Sequence, residues 1–130
     1  IVSALSPDEK WLCMFEDNTE EAYMYLLPMS LDGSGEPLGV SDKLWIYNKL
    51  EPSIDQIEDV FIIWDESSTK AALIVNDNNW GMFDLNTMKK LNAAVEENYI
   101  IPIPYEIWVE GIPRDIGTNL DVGIIDMIIH

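Results

Sequence analysis

The sequence predicts an α+β domain, mainly an antiparallel sheet in which a meander of about five or six strands packs with one or two helices. Apolar residues make up 48% of the chain and include 5 Trp, which is enough to build a sizeable core. β-rich runs follow one another with turn-forming residues between them, and a later segment carries apolar residues at helical spacing. Since 130 residues is an ordinary size for one domain, residues 1–130 are expected to form a single domain.

Three strands are predicted in the first part of the chain. Residues 11–16 and 22–27 are rich in aromatic and apolar side chains, and the polar residues 17–21 between them indicate a tight loop. Residues 43–48 form a third, shorter candidate. These runs therefore predict a strand pair followed by a separate strand.

The connections on either side of the third strand are predicted to be irregular. Residues 30–42 have little to pack and are rich in Gly and Pro, so they are predicted to form a mobile loop. The residues responsible are Gly33, Gly35, Pro37 and Gly39. Pro52 and the residues after it, up to 58, indicate a single helical turn or an irregular connection.

The clearest pattern is a three-stranded antiparallel meander in the middle of the chain. The β-rich runs 60–65, 70–76 and 80–85 are separated by the turn-forming residues 66–69 and 77–79. The first two runs are apolar at nearly every position. Strands of this kind are usually covered on both faces, so both are predicted to lie in the centre of the sheet.

A helix is predicted directly after the meander. Its apolar residues recur at spacings of three and four, and Asn86 or Thr87 can cap its first turn. These apolar residues are Met88, Leu91, Ala94 and Val95. The helix is expected to pack one face on the sheet and to end near Asn98, which tolerates the left-handed conformation of a helix stop.

The last part of the chain gives two further predictions. Residues 99–105 contain two prolines and are predicted to be extended, as an edge strand or a covering segment. In residues 119–130 the apolar spacing behind Asn119 favours a helix, whereas Gly123 and the many isoleucines would suit a strand. The choice between helix and strand stays open for this tail.

Residues suited to nucleophilic or acid–base catalysis are scarce. His130 is the single histidine and the last residue, so no His-dependent triad or general base is expected. Cys13 is the single cysteine and lies inside a strand pattern, which predicts an inert core thiol and excludes an intrachain disulfide. The sequence therefore predicts a protein that is not an enzyme.

Neither a metal site nor a cofactor site is predicted. Residues 32–35 superficially resemble a phosphate-binding loop, but no lysine or helix stands at the required spacing. Residues 76–79 resemble the start of a calcium loop, but Trp80 and Thr87 stand where that loop needs acidic or amide ligands. Two of the many carboxylates could still meet as a catalytic pair, which keeps an orphan hydrolase as the third alternative.

Charge is the strongest compositional feature. The chain carries 24 Asp and Glu against 7 Lys and Arg, a net charge of −17. Such a surface repels nucleic acid and anionic lipid and attracts basic molecules, so the expected partner is a basic protein, neither nucleic acid nor membrane. The alternative is that the charge serves only solubility. The apolar runs are too short for a membrane helix and no basic leader is visible, which favours a cytoplasmic location.

Aromatic residues beside the meander indicate where a partner would bind. Tryptophan is favoured at the energetic centre of interfaces, and Trp80 stands beside a predicted turn and before Gly81. The predicted partner-binding set places this tryptophan as an anchor among acidic residues of the meander end. The set is Asp65, Glu66, Asp77, Trp80 and Asp84.

Several blocks of residues carry a family resemblance. They are Phe15-Glu16-Asp17-Asn18, Ala22-Tyr23-Met24-Tyr25, Leu44-Trp45-Ile46-Tyr47-Asn48, Ile63-Trp64-Asp65, Lys70-Ala71-Ala72-Leu73-Ile74-Val75-Asn76 and Phe83-Asp84. Over about residues 11–86 the chain resembles a small bacterial family known as domain of unknown function 2251. The resemblance implies a bacterial origin and supports the fold, and it brings no activity or functional residues.

Compact acidic bacterial proteins of this kind are often immunity proteins encoded beside a toxin, which by analogy makes an immunity protein the leading hypothesis. The cognate toxin domain is expected to be basic, of the nuclease type, and to be neutralised by carboxylates presented to its nucleic-acid groove. The alternative is a general protein-interaction domain with another partner. A neighbouring toxin gene, or co-purification of one basic polypeptide, would distinguish the two.

Overall fold

The fold is given by a computed structural model of the chain. The structure describes residues 2–18, 20–30, 32–39, 42–48, 59–97 and 99–120. The predicted turn or connection at 52–58, nearly all of the predicted helix or strand at 119–130, and His130 lie outside the described residues.

The described residues form mainly antiparallel strands, together with one short helix. In chain order the elements are β1 (Val2–Leu5), β2 (Trp11–Asp17), β3 (Glu21–Pro28), β4 (Asp42–Asn48), β5 (Val60–Trp64), β6 (Lys70–Val75), β7 (Asn78–Asp84), β8 (Lys89–Asn92), β9 (Ala94–Glu96), β10 (Tyr99–Ile101), α1 (Tyr105–Glu110) and β11 (Thr118–Asn119). The strands predicted at 11–16, 22–27 and 43–48 are confirmed as β2, β3 and β4. The predicted meander is confirmed as β5, β6 and β7.

The strands belong to three sheets in the described part of the chain. The first has four strands in the order β1-β2-β3-β4, and the second has five in the order β11-β8-β7-β6-β5. The third is the pair β10-β9. The predicted single meander is therefore wrong in its extent, because the strands divide between separate sheets, and the one helix found is minor.

The main core lies between the four-stranded and the five-stranded sheet. In β2 the buried side chains alternate with more exposed ones, because successive residues of a strand point to opposite faces. Large side chains that are fully buried between the two sheets include Met24, Leu26, Ile46, Leu73 and Phe83. Gly81 of β7 fits closely here, since a Cβ on it would lie 2.6 Å from Cδ1 of Ile46. This core fixes the two sheets face to face.

The five-stranded sheet is covered on its other face as well. A second apolar cluster is formed by Ala72, Met82, Ala93, Ile103 and Ile112. Strand β6 contributes to both clusters because its residues alternate between them. The burial of residues 70–76 on both faces, predicted from their apolar sequence, is thus confirmed for β6.

Strand β5 differs from its prediction in position. It is the last strand of the five-stranded sheet in the described residues, so the predicted central position is wrong. Ile62 faces the main core, whereas Phe61 points to the other face and is 42% exposed. The strand is apolar throughout because one face meets the core and the other lines an open groove.

The helix predicted after the meander is wrong. The chain turns back after β7, and Leu91 of β8 pairs with Met82. The turn is fixed by Asp84, whose carboxylate accepts hydrogen bonds from the amides of Asn86 and Thr87 at 2.9 and 3.3 Å. Met88 adopts a positive φ of 61°, which no helix allows. The apolar spacing of three and four residues therefore arises by chance, because these residues belong to a turn and to two short strands.

The segment predicted to be extended at 99–105 is largely confirmed. Its first residues form β10, which pairs with β9, and Ile103 forms an isolated bridge with Asn79. Helix α1 then begins at Tyr105, directly after Pro104. Together these elements supply the cover for the second face of the five-stranded sheet.

Candidate functional site

An open groove lies on the second face of the five-stranded sheet. It has a volume of about 320 Å³ and runs between the β5–β6 part of the sheet and the segment that leads into α1. Its lining consists of Phe61, Ile63, Ile74, Asp77, Asn78, Asn79, Pro102, Ile103, Tyr105 and Trp108. A largely apolar concavity of this size with a few polar groups at its edge is the usual form of a binding site.

Strand periodicity and one helical turn place the apolar lining. Phe61 and Ile63 are two residues apart in β5, so both point to the groove. Ile74 comes from the paired strand β6, where it lies opposite Phe61. Tyr105 and Trp108 are three residues apart in α1 and therefore lie on one side of the helix.

Hydrogen bonds hold the covering segment to the sheet. The Ile103 amide donates to the Asn79 carbonyl at 2.9 Å, and the Ile112 amide donates to the Asp84 carboxylate at 2.9 Å. The Lys70 ammonium donates to the Val109 carbonyl at 3.0 Å. The same ammonium lies 5.7 Å from the centre of the Trp108 ring, within the range of a cation–π contact. The outer wall of the groove is thus tied to β6 and β7 at several positions.

The polar edge of the groove comes from the turn between β6 and β7. Asn76 and Asp77 have positive φ values of 49° and 68°, as a tight hairpin turn requires. The Asn79 side chain is buried and bonds the Gly81 amide and the Met82 sulfur, so its polar groups are used within the fold. Asp77 is exposed and supplies the one carboxylate of the groove lining. The edge is therefore negative.

The predicted partner-binding residues do not form one surface. Asp65, Glu66 and Asp84 lie where β5 and β7 end, whereas Asp77 lies in the turn at the opposite end of the sheet. The seven residues of β7 separate the two ends by about 20 Å. Of the predicted set, Asp77 alone lines the groove.

Trp80 does not occupy the predicted position of a surface anchor. It is partly buried and packs on the main core, on the face of the sheet opposite the groove. Its ring meets that of Tyr47 edge to face, with 6.0 Å between the centroids. The tryptophan that does reach the groove is Trp108.

Asp65 fixes the turn between β5 and β6. Its carboxylate accepts hydrogen bonds from the amides of Thr69 and Lys70 at 2.7 and 2.9 Å, and from the hydroxyls of Ser67 and Thr69. Burial raises the pKa of Asp65, but these hydrogen bonds outweigh it, so its pKa lies below the ordinary value. The bonds therefore stabilise the fold above the ordinary carboxyl pKa and are lost as the pH falls through the lowered one.

Asp84 is fully buried, in contrast to its predicted role at the surface. Its carboxylate accepts hydrogen bonds from three backbone amides, those of Asn86, Thr87 and Ile112. The side chain is closed in by Gly111, where an added Cβ would lie 2.8 Å from Oδ2. Asp84 joins the β7–β8 turn to the end of the covering segment and has no surface to offer a partner in this conformation.

The sequence prediction missed the aromatic wall of the groove. Phe61, Tyr105 and Trp108 were not assigned to a site, although the last two share a three-residue spacing directly after Pro104. That spacing is the one signal from which a surface-facing aromatic pair on a short helix could have been predicted. Phe61 could not be distinguished from the other apolar residues of β5.

The one cysteine is buried, and the described residues show no metal-binding cluster. Cys13 is buried in the main core, and burial raises the pKa of its thiol. Within the described ranges, no three His, Cys, Asp or Glu side chains come together as a metal-binding group. No helix of the described residues is long and apolar enough to cross a membrane.

These features define a small β-rich domain with an acidic surface and an open, aromatic-walled groove. The chain belongs to the bacterial family described as "Uncharacterized protein conserved in bacteria (DUF2251)", whose family model matches residues 1–109. The matched residues include the whole lining of the groove. No curated protein and no solved structure gives a significant match to the chain.

Proposed function

We propose that the protein is a non-catalytic binding domain of the bacterial cytoplasm that captures a basic protein partner at the aromatic groove. The partner is a toxin domain of the nuclease type, which makes the protein an immunity protein. The observation that carries the proposal is the combination of an acidic surface with an open apolar groove edged by Asp77.

The distribution of the charges supports a basic partner. Among the described residues most carboxylates are exposed, whereas the exposed cationic side chains are those of Lys10, Lys43 and Arg114. A surface with so few neutralising cations produces a negative potential that raises the rate of encounter with a basic molecule. The same potential repels nucleic acid and anionic membranes.

Two lysines make contacts within the fold. The Lys90 ammonium is paired with Asp42 at 2.5 Å and donates to the Lys43 carbonyl at 2.8 Å. The Lys70 ammonium bonds the Val109 carbonyl. The Lys90–Asp42 pair removes one charge of each sign from the surface, so the net negative charge presented to a partner is unchanged by it.

Inhibition of a nuclease by such a domain requires no chemistry. Aromatic side chains supply contact area at low entropy cost, and Tyr105 is 73% exposed beside the groove. Carboxylates of the inhibitor take the place of the phosphates that the nuclease would bind. The step from binding domain to immunity protein rests on the analogy with compact acidic bacterial proteins encoded beside toxins.

Affinity capture from the native bacterium, followed by inhibition assays on the purified pair, tests the proposal. The expected result is one basic polypeptide whose hydrolysis of nucleic acid stops when one molar equivalent of this protein is added. Capture of a basic partner without inhibition would support a general interaction domain. An acidic partner, or turnover of a substrate by the protein alone, would overturn the proposal.

A further inference from the structure

We propose that the groove binds a segment of the partner in which one apolar side chain is flanked by lysine or arginine. The inference rests on the proposed function in that it names the part of a basic partner that enters this site. The apolar side chain occupies the floor, and the neighbouring cation lies at the edge, against the Asp77 carboxylate and the exposed Tyr105 ring.

The floor of the groove selects an apolar group. It is formed by aliphatic and aromatic side chains of the sheet and of the covering segment, namely Phe61, Ile63, Ile74 and Ile103. A volume of about 320 Å³ is at the small end of the range for ligand sites, so it accepts a side chain of a partner in preference to a large cofactor. Phe61 is 42% exposed, and such a contact would cover it.

The edge of the groove selects a cation. Asp77 is the one charged side chain in the described lining. The Lys70 ammonium, 5.7 Å from the Trp108 ring centre, lies behind this wall and is not part of the lining. Tyr105 also lines the groove, and its ring is 73% exposed. Aromatic rings attract ammonium and guanidinium groups through their negative faces.

The molecule itself provides an example of this recognition. The Lys70 ammonium lies 5.7 Å from the Trp108 ring centre, on a side chain that also lines the groove. At the other sheet, the Lys43 ammonium lies 5.1 Å from the Tyr23 ring centre. A lysine ammonium within cation–π distance of an aromatic ring thus occurs twice within this fold, once on a residue of the groove lining.

Charge disfavours the other occupants. A second copy of this chain would bring a net charge of −17 against a surface of the same sign. An acidic peptide would meet the Asp77 carboxylate with no cation in the described lining to compensate. These alternatives are distinguished by the probes below.

Short capped peptides test the inference directly. The probes are acetylated and amidated Gly-Lys-Phe-Lys-Gly, its charge-reversed form Gly-Glu-Phe-Glu-Gly, and Gly-Lys-Ala-Lys-Gly, which lacks the apolar anchor. Binding is followed by NMR chemical shifts of the backbone amides and of the Trp108 indole. The first probe is expected to bind saturably with a dissociation constant of about 1 mM, as suits a small part of an interface. The other two are expected to bind at least about tenfold more weakly.

Two substitutions with matched controls locate the binding. Tyr105→Ala is expected to weaken the first probe by about tenfold or more, whereas Tyr99→Ala, at a tyrosine that is 75% exposed outside the groove, leaves it unchanged. Asp77→Asn is expected to weaken it about two- to fivefold, as for an exposed ion pair. Asp115→Asn is the matched control. Asp115 precedes β11, which pairs with β8, and β8 lies about 14 Å across the sheet from β5, so this substitution is expected to have no effect on binding.

The outcomes separate this inference from the proposed function. Equal binding of the Lys and Glu probes, shifts spread over the whole acidic surface, or no binding of the first probe would overturn the inference. So would a control that weakens binding as much as its groove counterpart. If a basic partner is captured and inhibited but is insensitive to Tyr105→Ala and Asp77→Asn, the proposed function stands and the groove assignment fails. If the first probe binds at the groove but no basic partner exists, the groove assignment stands and the proposed function fails.

Discussion

Ile62→Asp is expected to leave the protein unfolded at room temperature. Ile62 is 7% exposed and packs in the main core between the two large sheets. The substitution removes a buried apolar side chain, worth about 2–5 kcal/mol, and adds an unpaired charge that costs several kcal/mol more. Since small domains are stable by about 5–15 kcal/mol, the sum is comparable with the whole free energy of unfolding.

Circular dichroism and thermal unfolding measure the effect, with Phe61→Asp as the control on the same strand. Phe61 is 42% exposed on the groove face, so a carboxylate there keeps its water and the fold is expected to persist. A cooperatively folded Ile62→Asp variant would contradict the face-to-face packing of the two sheets. Loss of folding in the Phe61→Asp variant as well would show that both faces of β5 are closed.

Asp84→Ala is expected to lower the free energy of unfolding by about 3–6 kcal/mol. The substitution leaves the Ile112 amide without its acceptor in a buried place, and the amides of Asn86 and Thr87 without theirs in a partly buried one. Each unsatisfied buried donor costs about 1–3 kcal/mol. Asp84→Asn keeps one acceptor oxygen and should lose about half as much.

Urea unfolding followed by tryptophan fluorescence gives these values. Asp115→Ala removes an exposed carboxylate and is expected to change the stability by no more than about 0.5 kcal/mol. A loss below about 1 kcal/mol for Asp84→Ala would contradict the assignment of Asp84 as the acceptor that ties the covering segment to the sheet. If Asp115→Ala lowers the free energy of unfolding as much as Asp84→Ala does, the effect comes from the change in net charge and not from lost hydrogen bonds.

The strands were predictable because their signal is local. Alternating or continuous apolar runs between polar turns identified β2, β3, β4 and the three meander strands within a few residues. The sheet to which each strand belongs was not predictable in the same way. It depends on contacts between distant residues, such as the packing of β1 near β5, where the Trp64 indole donates to the Ala4 carbonyl at 2.9 Å.

The wrong helix has a specific physical cause. Met88, Leu91 and Val95 have helical spacing, but Met88 adopts a positive φ of 61° and Leu91 pairs with Met82 in the sheet. Asp side chains that accept from amides two or three residues ahead occur both in turns and at helix N-caps, so the bonds of Asp84 alone do not decide between the two. The competing turn was visible in the sequence as an Asp-Leu-Asn-Thr run, and its strength depends on the burial of Asp84, which sequence does not give.

The candidate site was the least predictable part. A tryptophan next to a turn is equally compatible with core and surface, and the choice between Trp80 and Trp108 depends on which face of the sheet receives the covering segment. Acidic residues were similarly ambiguous. Asp77 is exposed at the groove, while Asp65 and Asp84 are occupied in fixing turns.

The salt dependence of association with the captured partner tests the central claim most directly. It is measured by stopped-flow mixing from about 10 to 500 mM salt, where the screening length contracts from roughly 30 Å to a few Å. The account predicts that the association rate falls steeply over this range, because the acidic surface steers a basic partner, while the dissociation rate changes little. An association rate that does not respond to salt would contradict it and would assign the net charge of −17 to solubility alone.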